Sequence, residues 1–229
     1  MISVLTLTYK RFHLLEEAIQ SFLMQENSIE CEMVIINDNT EVDYVYDHPQ
    51  VRIINHKERF TSISDKIEWG YKQCKYNWIY RLDDDDLLAH GALNRTIKDI
   101  LDNEGFEVYR SSGMYFFVNN IYENIGGNIN NGNVYAKSYL DRIKFPGTSI
   151  GEDADITFNN NASIYESKLE PTMCYRWGMS TFHISGLGVT DSKIIMDHAD
   201  TVLSPETGTI ELRPKFLSNY YEQIKSHNK

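Results

Sequence analysis

The alternation of short apolar runs with amphipathic stretches through the first 82 residues constrains this chain more than any other feature. Residues 2–8 read Ile2-Ser3-Val4-Leu5-Thr6-Leu7-Thr8, apolar and β-branched without a charge, which suits a buried strand. Leu14, Leu15, Ala18, Ile19, Phe22 and Leu23 then recur at helical spacing, with Glu16 and Glu17 in the first turn, where the helix dipole favours carboxylates. The pattern predicts strands over 32–36, 51–54 and 78–82, and a helix over 62–75 with Ile63, Ile67 and Tyr71 on one face. A β-α-β-β-α-β order of this kind predicts an α/β domain with a mostly parallel sheet flanked by helices.

Ligands of such sheets bind beyond the carboxyl ends of the strands. Two acidic features fall there. Asn37-Asp38-Asn39-Thr40 follows the second strand, and four aspartates, Asp83 to Asp86, follow the run 77–82. Four adjacent like charges repel, and a divalent cation held by hard carboxylate oxygens is one way to offset them. A solvated acidic turn capping a helix that starts near Leu87 is the other reading, since carboxylates favour helix N-termini. Such a fold would bring both acidic features to one crevice, and that convergence is stronger evidence than either alone.

Composition narrows the function classes. The chain has 229 residues, of which 41% are hydrophobic, enough for one large α/β domain or for two small ones, and no linker long enough to split it is seen in the sequence. Its formal net charge of -11 argues against a surface that grips nucleic acid throughout, while leaving room for a local basic groove. Cys31, Cys74 and Cys174 are odd in number and show no CxxC spacing, so neither a disulfide framework nor a zinc site is expected. No stretch approaches 18 apolar residues and residues 2–8 follow no basic n-region, so the expectation is a cytoplasmic protein without a membrane span.

The second half is less regular. Helices are predicted over 93–101, 134–142 and 215–226, strands over 106–118 with a break at Ser111-Ser112-Gly113, and a hairpin or loop over 122–133. Gly151-Glu152-Asp153-Ala154-Asp155 follows the turn Phe145-Pro146-Gly147, and its carboxylates suit the first turn of a helix running through Ile156 and Phe158. A strand is predicted over 173–177, ahead of a loop carrying His183. Trp69, Trp78 and Trp177 read as core, although Trp177 could stack on a sugar ring.

Four pieces together resemble the family 2 inverting glycosyltransferases of GT-A fold: the run from Ser3 to Tyr9, Asn37-Asp38-Asn39-Thr40, Leu82-Asp83-Asp84-Asp85-Asp86, and Gly151-Glu152-Asp153. They stand in the family's order and spacing and span most of residues 1–160. The resemblance implies a single Rossmann-like GT-A domain over 1–229, with 1–100 binding a nucleotide-sugar and 101–229 the acceptor. It implies that Thr8 and Tyr9 meet the nucleotide, that Asp38 accepts from a uracil-type ring N–H, that Asp83 holds ribose or a metal-bound water, and that Asp84 faces ribose or sugar. Asp85, with Asp83, would ligate Mn2+ or Mg2+ bridging the diphosphate; Asp86 would be left as a helix cap. Asp153 would be the general base and Glu152 would orient the acceptor. Arg176 would meet phosphate, and His183 would be a metal ligand, a phosphate contact or a structural histidine.

The chain departs from the family at Leu7, where a small polar residue is common, and after Ala89-His90-Gly91, where a proline often follows. It carries no QxxRW-like segment, which implies single addition to a carbohydrate or other hydroxyl acceptor, a modified nucleic-acid base included. Two other classes compete. A nucleotidyltransferase would need a Gly-rich loop after the first strand, where this chain has Tyr9-Lys10-Arg11-Phe12. A non-catalytic nucleotide- or sugar-binding relative would have no need of both Asp85 and Asp153.

Overall fold

The strand β1 (Ile2–Thr8) is buried along its whole length because it is clasped on both edges and both faces. The computed structural model describes residues 1–26, 29–118, 121–126, 131–149, 151–177 and 207–227. On one edge β1 pairs in parallel with β2 (Cys31–Asn37), which pairs in parallel with β4 (Val51–Asn55). On the other it pairs in parallel with β5 (Trp78–Asp83). An antiparallel strand, β10 (Val134–Ala136), follows β5, then β7 (Val108–Arg110) and β11 (Ile164–Glu166), completing a seven-stranded sheet.

Side-chain alternation decides which helix covers which face. Ile2 and Val4 of β1, with Met33 and Ile35 of β2, pack on Leu15, Ala18, Ile19 and Phe22 of α1 (Phe12–Leu23). Leu5, Leu7, Val34 and Ile36 point the other way, onto Ile67 and Tyr71 of α2 (Ile63–Gln73). The Ser62 side chain caps α2 by accepting from Asp65 N. Gly70 lets this helix lie close to the sheet: a Cβ there would sit 3.0 Å from Leu5 Cδ1 and 3.1 Å from Ile36 Cγ1.

The acidic run does not open a helix. Asp84 and Asp85 form a turn closed by Asp86 N donating to Asp83 O, and β6 (Leu87–Leu88) follows as a strand. It pairs with β12 (Met173–Trp177), and Leu88 N donates to Ser21 Oγ, so both leucines are held extended in the core. No helix starts near Leu87, which removes that alternative, and the helix predicted over 93–101 is present as α3 (Ala92–Asp102), with Gly91 as its N-cap at φ 68°. The helix predicted over 134–142 is likewise shortened: residues 134–136 are claimed by the sheet as β10, leaving α4 (Lys137–Leu140). A strand the sequence pattern did not reveal, β3 (Val42–Val45), pairs with β13 (Gly208–Glu211) from near the far end of the chain.

A smaller sheet of order β6, β12, β8 (Gly113–Val118) and β9 (Ile121–Gly126) sits beside the large one. The break expected at Ser111-Ser112-Gly113 falls at Ser111 and Ser112, Gly113 opening β8, and the hairpin or loop expected over 122–133 gives way to β9 pairing back on β8, with residues 127–130 outside the described ones. A last helix, α6 (Tyr220–His227), caps this sheet through Tyr220 and Ile224 against Phe117 and Tyr122. It starts about a turn later than predicted, and Leu217 is left 62% exposed. Trp69 and Trp78 pack against the two main core clusters, as expected; the Trp177 side chain lies outside the described residues. No helix among the described residues is long and apolar enough to cross a membrane.

Candidate active site

In-register pairing aligns the carboxyl ends of three strands: Leu7 lies opposite Asp83, and Thr8 opposite Asn37. The segments leaving those ends enclose a crevice of about 390 Å³, lined by Thr8 and Tyr9, Asp38, the run 59–63, Lys66, Arg81 and Asp83. Asp38 and Asp83, acidic features from separate strands, thus face one space. Among the described lining residues Arg11, Arg59, Lys66 and Arg81 outnumber the two carboxylates, a basic crevice in a chain of net charge -11.

At one side Asp38 is buried and already well partnered. Its Oδ1 accepts from Arg59 Nη1 and from Lys66 Nζ, each at 2.5 Å, and its Oδ2 accepts from Phe60 N at 3.2 Å. Lys66 Nζ also donates to the Thr8 carbonyl at 2.7 Å. Burial pushes the Lys66 amine down to about 8, with Asp38 opposing the shift. The Arg59 guanidinium lies over the Tyr9 ring, 3.6 Å from its centroid.

The acidic turn divides its four carboxylates between different partners. Arg11 Nη1 donates to Asp85 Oδ2 at 2.9 Å, and Arg11 Nη2 to Asp84 Oδ1. Asp83 pairs with Arg81 at 2.6 Å. Asn131 Nδ2 bridges Asp83 at 2.7 Å and Asp86 at 2.6 Å. Burial raises the Asp84 carboxyl to about 6 against the pull of Arg11, and raises Asp86 well above the carboxylate range. A solvated turn is excluded by this burial: Asp84, Asp85 and Asp86 are all inside the protein, and Asp83 alone opens on the crevice.

Carboxylate oxygens of Asp83, Asp85 and Asp86 lie within 4.8 Å of one another, a hard-oxygen set that suits Mg2+ or Mn2+. Asp86, expected as a helix cap, belongs to this set instead, because no helix begins there and its side chain turns inward. Nothing in a run of four identical residues marks which one turns in.

The second acidic pair begins α5 (Glu152–Phe158), after Gly151 at φ 71°. Glu152 and Asp153 are half-buried and flank Arg81, the residue that also pairs with Asp83. Among the described residues no hydrogen bond reaches the Asp153 carboxylate. Burial raises it to about 8; Arg81 opposes this, while Asp83 and Glu152 add to it. Burial also raises Glu152. The Arg81 Nε is buried without a hydrogen-bond partner, while Nη2 pairs with Asp83 and Nη1 donates to the Leu82 carbonyl at 3.0 Å.

Arg176 is not in the crevice. It is fully buried behind the acidic turn, where its guanidinium pairs with Glu17 and donates to the Leu14 and Asp85 carbonyls, so its expected phosphate contact gives way to an internal one. His183 lies outside the described residues. Sequence reading also passed over Arg11, Arg59, Lys66, Arg81 and Asn131. Only Arg81 carries a clear signal, a charge set inside an otherwise apolar strand.

The model of the family described as "Glycosyl transferase family 2" matches residues 3–147. Among solved structures, S. aureus TarS 1-349 in complex with UDP-GlcNAc is similar at TM-score 0.64 and 14% identity over 88% of this chain and 65% of that one. The same protein in complex with UDP gives 0.62 and 16% over 78% and 61%. The mannosyltransferase PcManGT from Pyrobaculum calidifontis, in complex with GDP-Man and Mn2+, gives 0.55 and 13% over 72% and 54%. This chain therefore spans less than two thirds of each of those chains. No curated protein matches it.

Proposed function

The chain belongs to glycosyl transferase family 2, and from that premise we propose that it moves one sugar from a UDP-sugar to a hydroxyl acceptor, with inversion and with a divalent cation. One observation carries the reading. A basic crevice holding Asp38, one member of a carboxylate trio, Asp83, and a carboxylate free of hydrogen bonds, Asp153, all adjoin Arg81.

The state of Asp38 favours uracil. Oδ1 is taken by two cations, leaving capacity chiefly on Oδ2. Uracil offers one ring N–H there, whereas guanine offers two parallel donors that want both oxygens. Tyr9 would flank the base, Thr8 the ribose, and the basic lining the diphosphate, while Asp84, expected to face the ribose or sugar, is buried on Arg11 and does not line the crevice. Asp83, Asp85 and Asp86 would hold Mg2+ or Mn2+, which when bound neutralises charge on the departing diphosphate.

Asp153 is the base. It takes the acceptor hydroxyl proton as that oxygen bonds to the anomeric carbon, and the bond to the donor phosphate breaks on the opposite side with its electrons leaving on the diphosphate. Arg81, charged and close to both, keeps Asp153 and Asp83 within one field. Glu152 orients the acceptor, which enters from the half formed by residues 101–229.

Calorimetric titration with UDP, GDP and CMP, each with Mn2+ and with EDTA, tests the donor half. UDP-selective, Mn2+-dependent binding supports it, and no binding of any nucleotide would sink it.

A further inference from the structure

Behind the acidic turn lies an ion pair that the proposed chemistry does not touch. Glu17 on α1 is 1% exposed and Arg176 on β12 is 0% exposed. Burying both members of such a pair is costly, and apolar residues of similar volume commonly serve stability as well. What apolar residues cannot supply is a fork of donors in fixed geometry.

Arg176 sets one arm of that fork on the turn and the others on Glu17 and the Leu14 carbonyl. Its Nε donates to the Asp85 carbonyl, and its backbone N donates to Asp86 Oδ1 at 3.1 Å. One residue thus holds the backbone of Asp85 and the carboxylate of Asp86, and it does so from outside the crevice lining. Glu17 fixes Arg176 in turn, accepting from its Nη1 on Oε2. The other partners of Glu17 come from the C-terminal segment. Leu217 N donates to Oε1 at 2.8 Å and the Tyr220 hydroxyl to Oε2 at 3.4 Å. Arg213 N anchors the same segment on neighbouring Glu16 at 2.7 Å.

We propose that Glu17 and Arg176 are positioning residues for the cation site, and that docking of the segment around Leu217 and Tyr220 completes that site. The inference rests on the cation reading above. Cation affinity then depends on contacts remote in sequence from every ligand, as it does where outer residues orient the groups that bind a metal.

The test uses the full chain with Glu17→Gln and Tyr220→Phe, both checked for fold by circular dichroism. Mn2+ binding is read by electron paramagnetic resonance without nucleotide, and UDP binding by calorimetry with Mn2+ and with EDTA. Glu17→Gln should weaken Mn2+ binding and Mn2+-dependent UDP binding about tenfold. Tyr220→Phe should do so about threefold. UDP binding in EDTA should stay within about twofold in both, since the crevice side is untouched. Wild-type Mn2+ affinity in both folded variants would overturn the inference, as would a parallel loss of UDP binding in EDTA. Should Glu17→Gln fail to fold, Tyr220→Phe decides alone. A wild-type chain that binds UDP equally with Mn2+ and with EDTA would instead overturn the cation reading, and this inference with it.

Discussion

Arg11 Nη1 lies 2.9 Å from Asp85 Oδ2, so one carboxylate of the candidate cation trio already carries a guanidinium. The same arginine reaches Asp84 and lines the crevice, where a diphosphate would offer it another partner. A guanidinium and a divalent cation competing for one carboxylate oppose each other by Coulomb repulsion.

Removing that competitor should tighten the metal site. Arg11→Gln is expected to raise Mn2+ affinity in the absence of nucleotide by about tenfold, while weakening UDP binding in the presence of Mn2+. Electron paramagnetic resonance of free Mn2+ reads the first and calorimetry the second. Weaker Mn2+ binding in a folded variant would show that Arg11 organises the turn and does not compete for it.

Asp153→Asn should leave Mn2+-dependent UDP binding within about twofold and reduce transfer by roughly 10²–10⁴-fold, the range for loss of a general base. Binding and turnover falling together would sink the assignment.

The same residue sets a pH dependence. Its carboxyl is raised from 3.8 to about 8 in the folded chain, chiefly by burial, so a base at this position gains activity as pH rises toward 8. Stability moves the other way. The folded chain holds the proton that the unfolded chain has lost, so ionising Asp153 costs stability progressively from pH 4 to about 8. Asp153→Asn should therefore melt near the wild-type temperature at pH 4 and increasingly above it toward pH 8. Thermal melts at several pH values check the sign, and a variant that melts lower at pH 8 contradicts it.

Asp38→Ala should abolish UDP binding and also destabilise the fold. Lys66 is buried beneath it, and removing the carboxylate leaves that ammonium without its ionic partner, at a cost of about 3–5 kcal/mol. Urea denaturation measures the loss. A fully stable variant would mean that Lys66 is already neutral.

Gly70→Ala sets helix propensity against packing. Alanine gains about 1 kcal/mol in a helix interior over glycine, yet its Cβ would crowd Leu5 and Ile36. Overpacking costs about 1–3 kcal/mol, so a net fall in melting temperature of roughly 2–4 °C is expected. A rise would show that α2 can lift from the sheet freely.

Much of the first half of the chain is legible in its sequence. The strands around β1, the helices α1 and α2, and the placement of Asp38 and Asp83 at strand ends all follow from apolar periodicity, which is a local signal. The failures share a cause. Leu87 and Leu88 became a strand because β12 pairs with them, residues 134–136 became a strand because β5 and β7 hold them, and β3 formed with a partner from beyond residue 200. Each is a tertiary contact overriding a local preference.

The sequence by itself determined which carboxylates reach the crevice end of the sheet, because register and periodicity are written in neighbouring residues. Tertiary structure decided what each carboxylate meets there. Asp84 and Asp85 meet Arg11, Asp83 meets Arg81, Asp86 meets Asn131 and the Arg176 backbone, and Glu17 holds the Arg176 side chain from 159 residues away. Most of those partners are brought up by packing of elements distant in the chain, and the charge, burial and chemistry of a carboxylate are set by its partner as much as by its own identity.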